Sequence, residues 1–252
     1  MAILATEAFV LKRSPFRETS LLATLFSRTA GKMKILVKGV RRDKNALAAV
    51  LEPFSHISVV YYEKVKSDVH LASSVGIVDP YSTLRRQLDR MSYASYITEL
   101  VDTLFGFGDP HDEVFHLLAH AYRLLERCSP PVVARVFEVK ILEQVGWLPV
   151  LTRCVLCGSD AARQVFFSPR NGGIICALCD RGEPGSVPIS QGTLRSLLFF
   201  KDHEIQEAVK LRIGRLTERE LERIGERFLK YHLDYALRSP RFIAEVQPMF
   251  KR

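Results

Sequence analysis

Two Cys-x-x-Cys pairs constrain the fold of this chain more than any other feature of its sequence. Cys154 and Cys157 form the first pair, and Cys176 and Cys179 form the second after 18 intervening residues. Two residues between ligands let both thiolates of a tight turn point towards one centre, and the separation of the pairs is typical of a four-cysteine zinc site. The sequence therefore predicts a zinc ribbon at residues 151–185.

The residues between the two pairs predict the rest of this ribbon. Two short apolar runs flank Asn171-Gly172, a dipeptide that strongly favours a hairpin turn. Four thiolates complete a tetrahedral zinc and leave no position for water, so we expect one structural Zn²⁺. Two disulfides are an alternative that reducing conditions inside a cell disfavour, and a redox pair would need only one Cys-x-x-Cys.

The charge of the chain favours a polyanionic partner. The 252 residues include 36 Lys and Arg against 28 Asp and Glu, which gives a formal net charge of +8. This excess is concentrated in residues 1–80, and it favours nucleic acid ahead of an anionic membrane surface. The first residues do not resemble an export signal, and no run of 18 apolar residues occurs. We therefore expect a cytoplasmic protein that does not insert into a membrane.

The N-terminal residues predict a small β-barrel. Short runs rich in β-branched and aromatic residues recur between turn signals at regular spacing, which is typical of strands. Five strands in about 75 residues are too few for a usual sandwich, whereas a closed barrel removes exposed edges, so we expect an OB-fold domain at residues 1–80. The predicted strands are Glu7–Lys12, Leu21–Phe26, Lys32–Lys38, His56–Tyr62 and Val69–Val75.

From about residue 81 the apolar residues recur with a helical period, which predicts an all-helical domain at residues 81–252 that carries the ribbon as an insertion. The chain is therefore expected to be an α+β protein. Thr217 and Glu220 have the spacing of a capping box and predict the start of a late helix. We expect Tyr231 and Tyr235 on its buried face, and Ser239-Pro240 at its end.

One predicted strand and the loop after it carry the densest positive charge. Met33, Ile35 and Val37 alternate with lysines, so period-two geometry should bury the apolar set and align the ammonium groups on one barrel face. Such a face is a frequent platform for single-stranded nucleic acid, and an edge strand protected by lysines is the alternative. The predicted DNA-binding residues are Lys32, Lys34, Lys38, Arg41, Arg42 and Lys44. Possible base-stacking aromatics, most of them expected in the core, are Phe16, Phe26, Phe54, Tyr61 and Tyr62.

No pattern in the sequence indicates catalysis. His116 and His120 lie four apart on a predicted helix, but no third ligand is indicated, and a surface or core pair is the expected reading. The carboxylates do not cluster as a two-metal nuclease requires. We expect a protein that is not an enzyme, with a protein-interaction scaffold and a metal-dependent nuclease as alternative functions.

Several segments, in their order along the chain, resemble the bacterial RecO family of recombination mediators. They include Lys38-Gly39-Val40-Arg41-Arg42, Cys154-Val155-Leu156-Cys157-Gly158 and Phe167–Cys176. The ending Tyr231–Phe242 belongs to the same resemblance, which covers nearly the whole chain. The resemblance implies an N-terminal OB fold and a helical C-terminal domain with a zinc ribbon, although the zinc cysteines vary within the family.

The same resemblance implies a function in recombinational DNA repair. Members bind single- and double-stranded DNA and anneal complementary strands. With RecR, they load the RecA recombinase onto strands coated by single-strand-binding protein. It also implies association with the nucleoid, and it makes the basic strand and the segment after it the expected DNA contacts.

Overall fold

The structure, a computed structural model, describes residues 2–40, 49–64, 67–160 and 164–250, apart from the Phe250 side chain. The chain divides into two compact units, Met1–Glu126 and Arg127–Arg252. The division predicted at 80/81 marks the change from strands to helices along the sequence. The division at 126/127 separates the two groups of residues that pack among themselves.

Five strands of the first unit form a closed barrel. They are β1 (Ile3–Phe16), β2 (Ser20–Ser27), β3 (Gly31–Val37), β4 (His56–Tyr62) and β5 (Val69–Asp79). Their order around the barrel is β1-β2-β3-β5-β4, and antiparallel pairing of β1 with β4 closes it. Only the β3–β5 pair is parallel among the described strand pairs of this barrel. The predicted OB-type barrel is confirmed.

Alternation of side chains fixes which face of each barrel strand enters the core. In β3, Met33, Ile35 and Val37 are buried together with Leu25 of β2 and Ile57 of β4. Successive side chains of a strand point to opposite faces, so the lysines between these apolar residues must leave the barrel interior. Lys32 and Lys34 therefore lie on the outer side of the strand.

Helices pack on this barrel within the same unit. They are α1 (Ser82–Arg86), α2 (Leu88–Leu104) and α3 (Asp112–Leu125). The ring of Phe9 in β1 lies 4.8 Å from that of Phe115 and 5.5 Å from that of Tyr122, both in α3. Because these fully or almost fully buried rings join strand and helix in one core, the unit extends to residue 126.

The second unit combines helices with a small sheet. Its elements are α4 (Pro130–Gln144), β6 (Val165–Ser168), β7 (Gly173–Cys176), β8 (Val187–Ile189), α5 (Gln191–Asp202), α6 (Ile205–Ala208), α7 (Arg215–His232) and α8 (Ser239–Phe250). The predicted hairpin is confirmed as β6 and β7, and β8 adds an unpredicted third strand beside β6. Across the described ranges, none of the helices combines the length and apolarity needed to cross a membrane.

The capping box predicted at Thr217 is wrong. Helix α7 begins earlier, at Arg215, with Gly214 as its N-cap. The Glu220 carboxylate instead accepts hydrogen bonds from the backbone N–H of Ser190 at 2.9 Å and from its hydroxyl at 2.8 Å. Ser190 is the N-cap of α5, so Glu220 stabilises the start of another helix rather than its own.

The predicted end of the late helix is also wrong. Helix α7 ends at His232, and Ser239-Pro240 opens α8, where a proline without an N–H is tolerated in the first turn. Tyr231 and Tyr235, expected on a buried face, are each more than half exposed. The buried face of α7 instead comprises Leu221, Ile224, Phe228 and Leu229.

A buried ion pair lies in the core of the second unit. Arg135 Nη1 is 2.8 Å from Glu138 Oε2 on α4, and the two side chains are only 9% and 6% exposed. Gly225 of α7 leaves room for this pair, because a Cβ atom there would lie 2.7 Å from Glu138 Oε2. Burial raises the pKa of the Glu138 carboxyl well above its usual range, and the short contact with the Arg135 guanidinium is the interaction that favours its charged form.

We expect Arg135→Met to lower the free energy of unfolding by about 3–5 kcal/mol, because it leaves the Glu138 carboxylate buried without its cation. The double substitution Arg135→Met/Glu138→Met should recover most of that loss. Urea unfolding measures both. The exposed pair Lys210–Glu207 provides the control, and Lys210→Met should change stability by about 1 kcal/mol or less. A single variant as stable as the double variant would contradict the expectation.

Candidate metal centre and nucleic-acid interface

The four predicted zinc ligands converge in the second unit. The Sγ atoms of Cys154, Cys157, Cys176 and Cys179 all lie within 4.8 Å of one another, and all four residues are free cysteines. Cys157 Sγ and Cys176 Sγ are 3.8 Å apart. A tetrahedral site with metal–sulfur bonds of about 2.3 Å places its sulfurs about 3.8 Å apart, so the cluster fits a single metal ion.

Backbone turns orient the cysteines of this cluster. In the first pair, the N–H of Gly158 donates to the carbonyl of Cys154 at 2.8 Å, and in the second the N–H of Cys179 donates to the carbonyl of Cys176 at 3.0 Å. The N–H of Cys176, at the end of β7, donates to Cys154 Sγ at 3.4 Å. The hairpin and the two turns therefore hold the sulfurs together through the local backbone.

The thiols of the cluster differ in acidity. The Ser159 side chain, 3.1 Å from the Cys157 sulfur, and the Ser159 backbone lower the pKa of Cys157 to about 6. Hydrogen bonding of the Cys179 thiol to Cys176 and Cys157 raises the pKa of Cys179 to about 12. Crowded thiolates repel one another, and a divalent cation at their centre offsets this electrostatic repulsion. The cluster can therefore hold a metal ion.

The other candidate ligands lie outside this cluster. His116 Nε2 is 3.5 Å from the carboxylate of Asp112 one turn earlier on α3, and it is exposed. Cys128, a free cysteine, is partly buried. In the part of the chain that the structure describes, the four cysteines form the only cluster of potential metal ligands.

Lys32, predicted to line an open cationic face, is buried. Only 8% of the residue is exposed, and its Nζ donates to the backbone carbonyl of Asp102 at 2.5 Å and lies 3.5 Å from the Asp102 carboxylate. Burial lowers the pKa of Lys32, and the charge of Asp102 partly opposes this. The assignment of Lys32 as a direct DNA contact is therefore corrected, because helix α2 covers its ammonium group.

The other predicted cationic residues differ in accessibility. Lys34 is partly buried and Lys38 is exposed. Arg41, Arg42 and Lys44 lie outside the described residues, so their assignment stays a prediction. Lys34 in β3 and Lys38 just after the strand are therefore accessible to solvent.

Two neighbours of β3 were missed by sequence reasoning. Lys12 of β1 is largely exposed, and its Nζ lies 2.6 Å from Asp102 Oδ2, beside Lys32. Phe107 is 41% exposed, and the ammonium groups of Lys32 and Lys34 each lie 4.8 Å from the centre of its ring. The sequence did contain a signal for Phe107. It is a bulky aromatic residue between Gly106 and Gly108, outside the apolar pattern of the predicted helices, so packing of a helix does not explain it.

Of the aromatic residues considered for base stacking, Phe26, Phe54 and Tyr61 are buried. They contribute to cores, as expected for most of the set. Phe16 is 37% exposed at the end of β1, and the guanidinium carbon of Arg17 lies 5.5 Å from the centre of its ring. Tyr62, the last residue of β4, is partly buried. Phe107, which lies outside the barrel strands, is an accessible ring in direct contact with the ammonium groups of β3.

Comparison with known proteins assigns the chain to a family. The family model "Recombination protein O N terminal" matches residues 1–81, and "Recombination protein O C terminal" matches residues 85–241. The chain is similar to proteins named DNA repair protein RecO from Anaeromyxobacter sp. (strain K), with 32% identity over 95% of each chain, and from Symbiobacterium thermophilum, with 31% identity over 96% of this chain and 97% of the relative. A protein of the same name from Pelotomaculum thermopropionicum is 31% identical over 96% of this chain and 94% of the relative. The chain therefore belongs to the RecO family.

Proposed function

We propose that this chain acts in DNA repair and recombination as a mediator that binds single- and double-stranded DNA and anneals complementary strands. The observation that supports DNA binding is the accessibility of Lys34 on the outer side of β3 and of Lys38 just after the strand. Membership of the family supports the role in repair and recombination. By the same family relationship, the proposed partners are RecR and single-strand-binding protein, and the proposed outcome is loading of the RecA recombinase.

Annealing of this kind requires no bond to be made or broken. Two complementary strands repel each other through their phosphates, and a cationic surface that neutralises both lowers this repulsion and releases counterions. Contacts to the sugar-phosphate backbone carry no base information, so binding should be independent of sequence. We therefore propose that the chain is not an enzyme and that it works at the nucleoid, where its ligand is.

We propose further that the four-cysteine cluster holds one Zn²⁺. Zinc is the ion that four cysteine thiolates most commonly bind in structural sites, and Cys154, Cys157, Cys176 and Cys179 would fill its coordination sphere. Such an ion has no open position at which to activate water. Its contribution would be to stabilise the ribbon.

We expect Cys157→Ser to abolish stoichiometric zinc binding and to lower the melting temperature of the zinc-loaded chain by about 10 °C or more, because binding energy at a structural site is folding energy. Elemental analysis and thermal melting measure the two effects. Cys128→Ser, outside the cluster, is the matched control and should retain one zinc per chain. Equal melting temperatures with and without metal would contradict a structural role.

We expect Lys34→Glu/Lys38→Glu to weaken binding to single-stranded oligonucleotides of every sequence, by roughly tenfold for each lost charge-assisted contact. The slope of log affinity against log salt should become shallower by about 0.7 per lost phosphate contact. Fluorescence anisotropy at several salt concentrations measures both quantities. Lys210→Glu/Lys230→Glu changes the net charge equally in the second unit. If this control variant lost as much affinity as the first, net charge rather than the β3 face would govern binding.

We expect the chain to accelerate annealing of complementary fluorescent oligonucleotides while leaving them intact in the presence of Mg²⁺. Fluorescence transfer reports annealing, and gel electrophoresis of the same samples reports cleavage. Shortened oligonucleotides would indicate a metal-dependent nuclease. Unchanged annealing together with weak, salt-independent DNA binding would indicate a scaffold that binds only proteins.

A further inference from the structure

The segment after α2 is fixed against the start of β3 by its backbone. Phe107 forms β-bridges with Gly31 and Lys32, and the N–H of Gly108 donates to the carbonyl of Lys32 at 3.0 Å. At Gly31, which has a φ of 62°, a Cβ atom would lie 2.0 Å from the backbone oxygen of Asp109. The approach is so close that only glycine fits there. The backbone that carries the Phe107 side chain is therefore fixed by hydrogen bonding and close packing against the start of β3.

This fixed ring is not required by the core. Phe105, two residues earlier, is buried, and its ring lies 5.7 Å from that of Phe26 in the barrel. Phe107 remains 41% exposed. On an aromatic side chain that offers roughly 150–250 Å² of surface, this is about the area of one ring face. The Lys32 and Lys34 ammonium groups lie over this ring, and the part of its surface that they and the backbone leave exposed is accessible to a ligand.

The charges around this ring favour an anion. Lys12 and Lys32 share the single carboxylate of Asp102, and Lys34 lies beside the ring. Among the described residues, no ion pair involves Lys34. These three ammonium groups and the Asp102 carboxylate sum to two positive charges, and Asp68, whose backbone carbonyl accepts from the Lys34 N–H at 3.1 Å, and Asp109, two residues after Phe107, add acidic residues to the same region. An aromatic face beside an excess of positive charge matches the two parts of a nucleotide, its base and its phosphate.

We propose that Phe107 is a stacking platform for one base of single-stranded DNA and that Lys34 and Lys12 bind the adjacent phosphates. The inference rests on the proposed function, which it deepens by naming a subsite outside the barrel strands. A base can stack on Phe107 only when it is not already stacked in a duplex. The platform therefore favours single strands over double strands, whereas the lysines serve both.

The test compares two fluorescein-labelled oligonucleotides of about 16 nucleotides, oligothymidylate and an abasic oligomer with the same number of phosphates. Phe107→Ala should weaken binding to oligothymidylate by about 5-fold to 100-fold, the range found when a stacking aromatic is removed. Binding to the abasic oligomer should change by less than about twofold, because that oligomer has no base to stack. The salt slope should stay at its unsubstituted value, since no charge is removed.

Two further substitutions separate stacking from packing. Phe107→Leu keeps an apolar side chain that can cover the lysine stems, but it has no π face, so it should lose as much affinity for oligothymidylate as Phe107→Ala. Phe107→Tyr keeps the ring and should bind like the unsubstituted chain. Phe242→Ala, which removes a similarly exposed ring in the second unit, is the matched control and should bind within about twofold of the unsubstituted chain.

The outcomes distinguish this inference from the function on which it rests. If the unsubstituted chain binds neither oligomer, both the proposed function and the platform are wrong. If it binds both but Phe107→Ala binds oligothymidylate normally, only the platform is wrong. Rescue by leucine, or an equal loss for the abasic oligomer, would likewise assign Phe107 to packing. Melting temperatures within a few degrees of the unsubstituted chain confirm that each variant is folded.

Discussion

The contact between Lys32 and Asp102 organises the cationic side of the barrel. The carbonyl and carboxylate of Asp102 hold the Lys32 ammonium close to the barrel wall, and the second carboxylate oxygen attracts Lys12. A buried ammonium without partners would be strongly destabilising, so this contact lets helix α2 cover Lys32. Lys32 thereby becomes part of the scaffold, whereas Lys34 and, just after the strand, Lys38 are the lysines of the proposed DNA-binding surface.

The features that sequence analysis predicted correctly are those determined by neighbouring residues. The alternation of Met33, Ile35 and Val37 with polar residues places them in the barrel core, because the period of a strand is a local property. The Cys-x-x-Cys turns and the hairpin between them are local as well, so the convergence of the four sulfurs within 4.8 Å could be expected from spacing. The OB topology followed from strand number and length.

The features that sequence analysis missed depend on partners far along the chain. Lys32 and its partner Asp102 are 70 residues apart, and no local pattern indicates that this lysine rather than Lys34 is covered. Glu220 has the spacing of a capping residue, yet it binds Ser190, 30 residues earlier, because that partner offers both an N–H and a hydroxyl. Phe107 was missed for the same reason, since its place beside β3 arises from tertiary pairing of the backbone.

The small size of the ribbon explains why we assign a structural role to the metal and the binding role to the protein surface. Its three strands contain only four, four and three residues, and a sheet this short buries too little apolar surface to be stable by itself. Cys154 and Cys176 take the place of core residues there, packed with Ile175 and flanked by Val155 and Phe166. A metal bound by four thiolates would complete this small core and have no position left for a substrate. Under this proposal the metal stabilises the ribbon, and the lysines and aromatic ring beside β3 are the surface proposed to bind DNA.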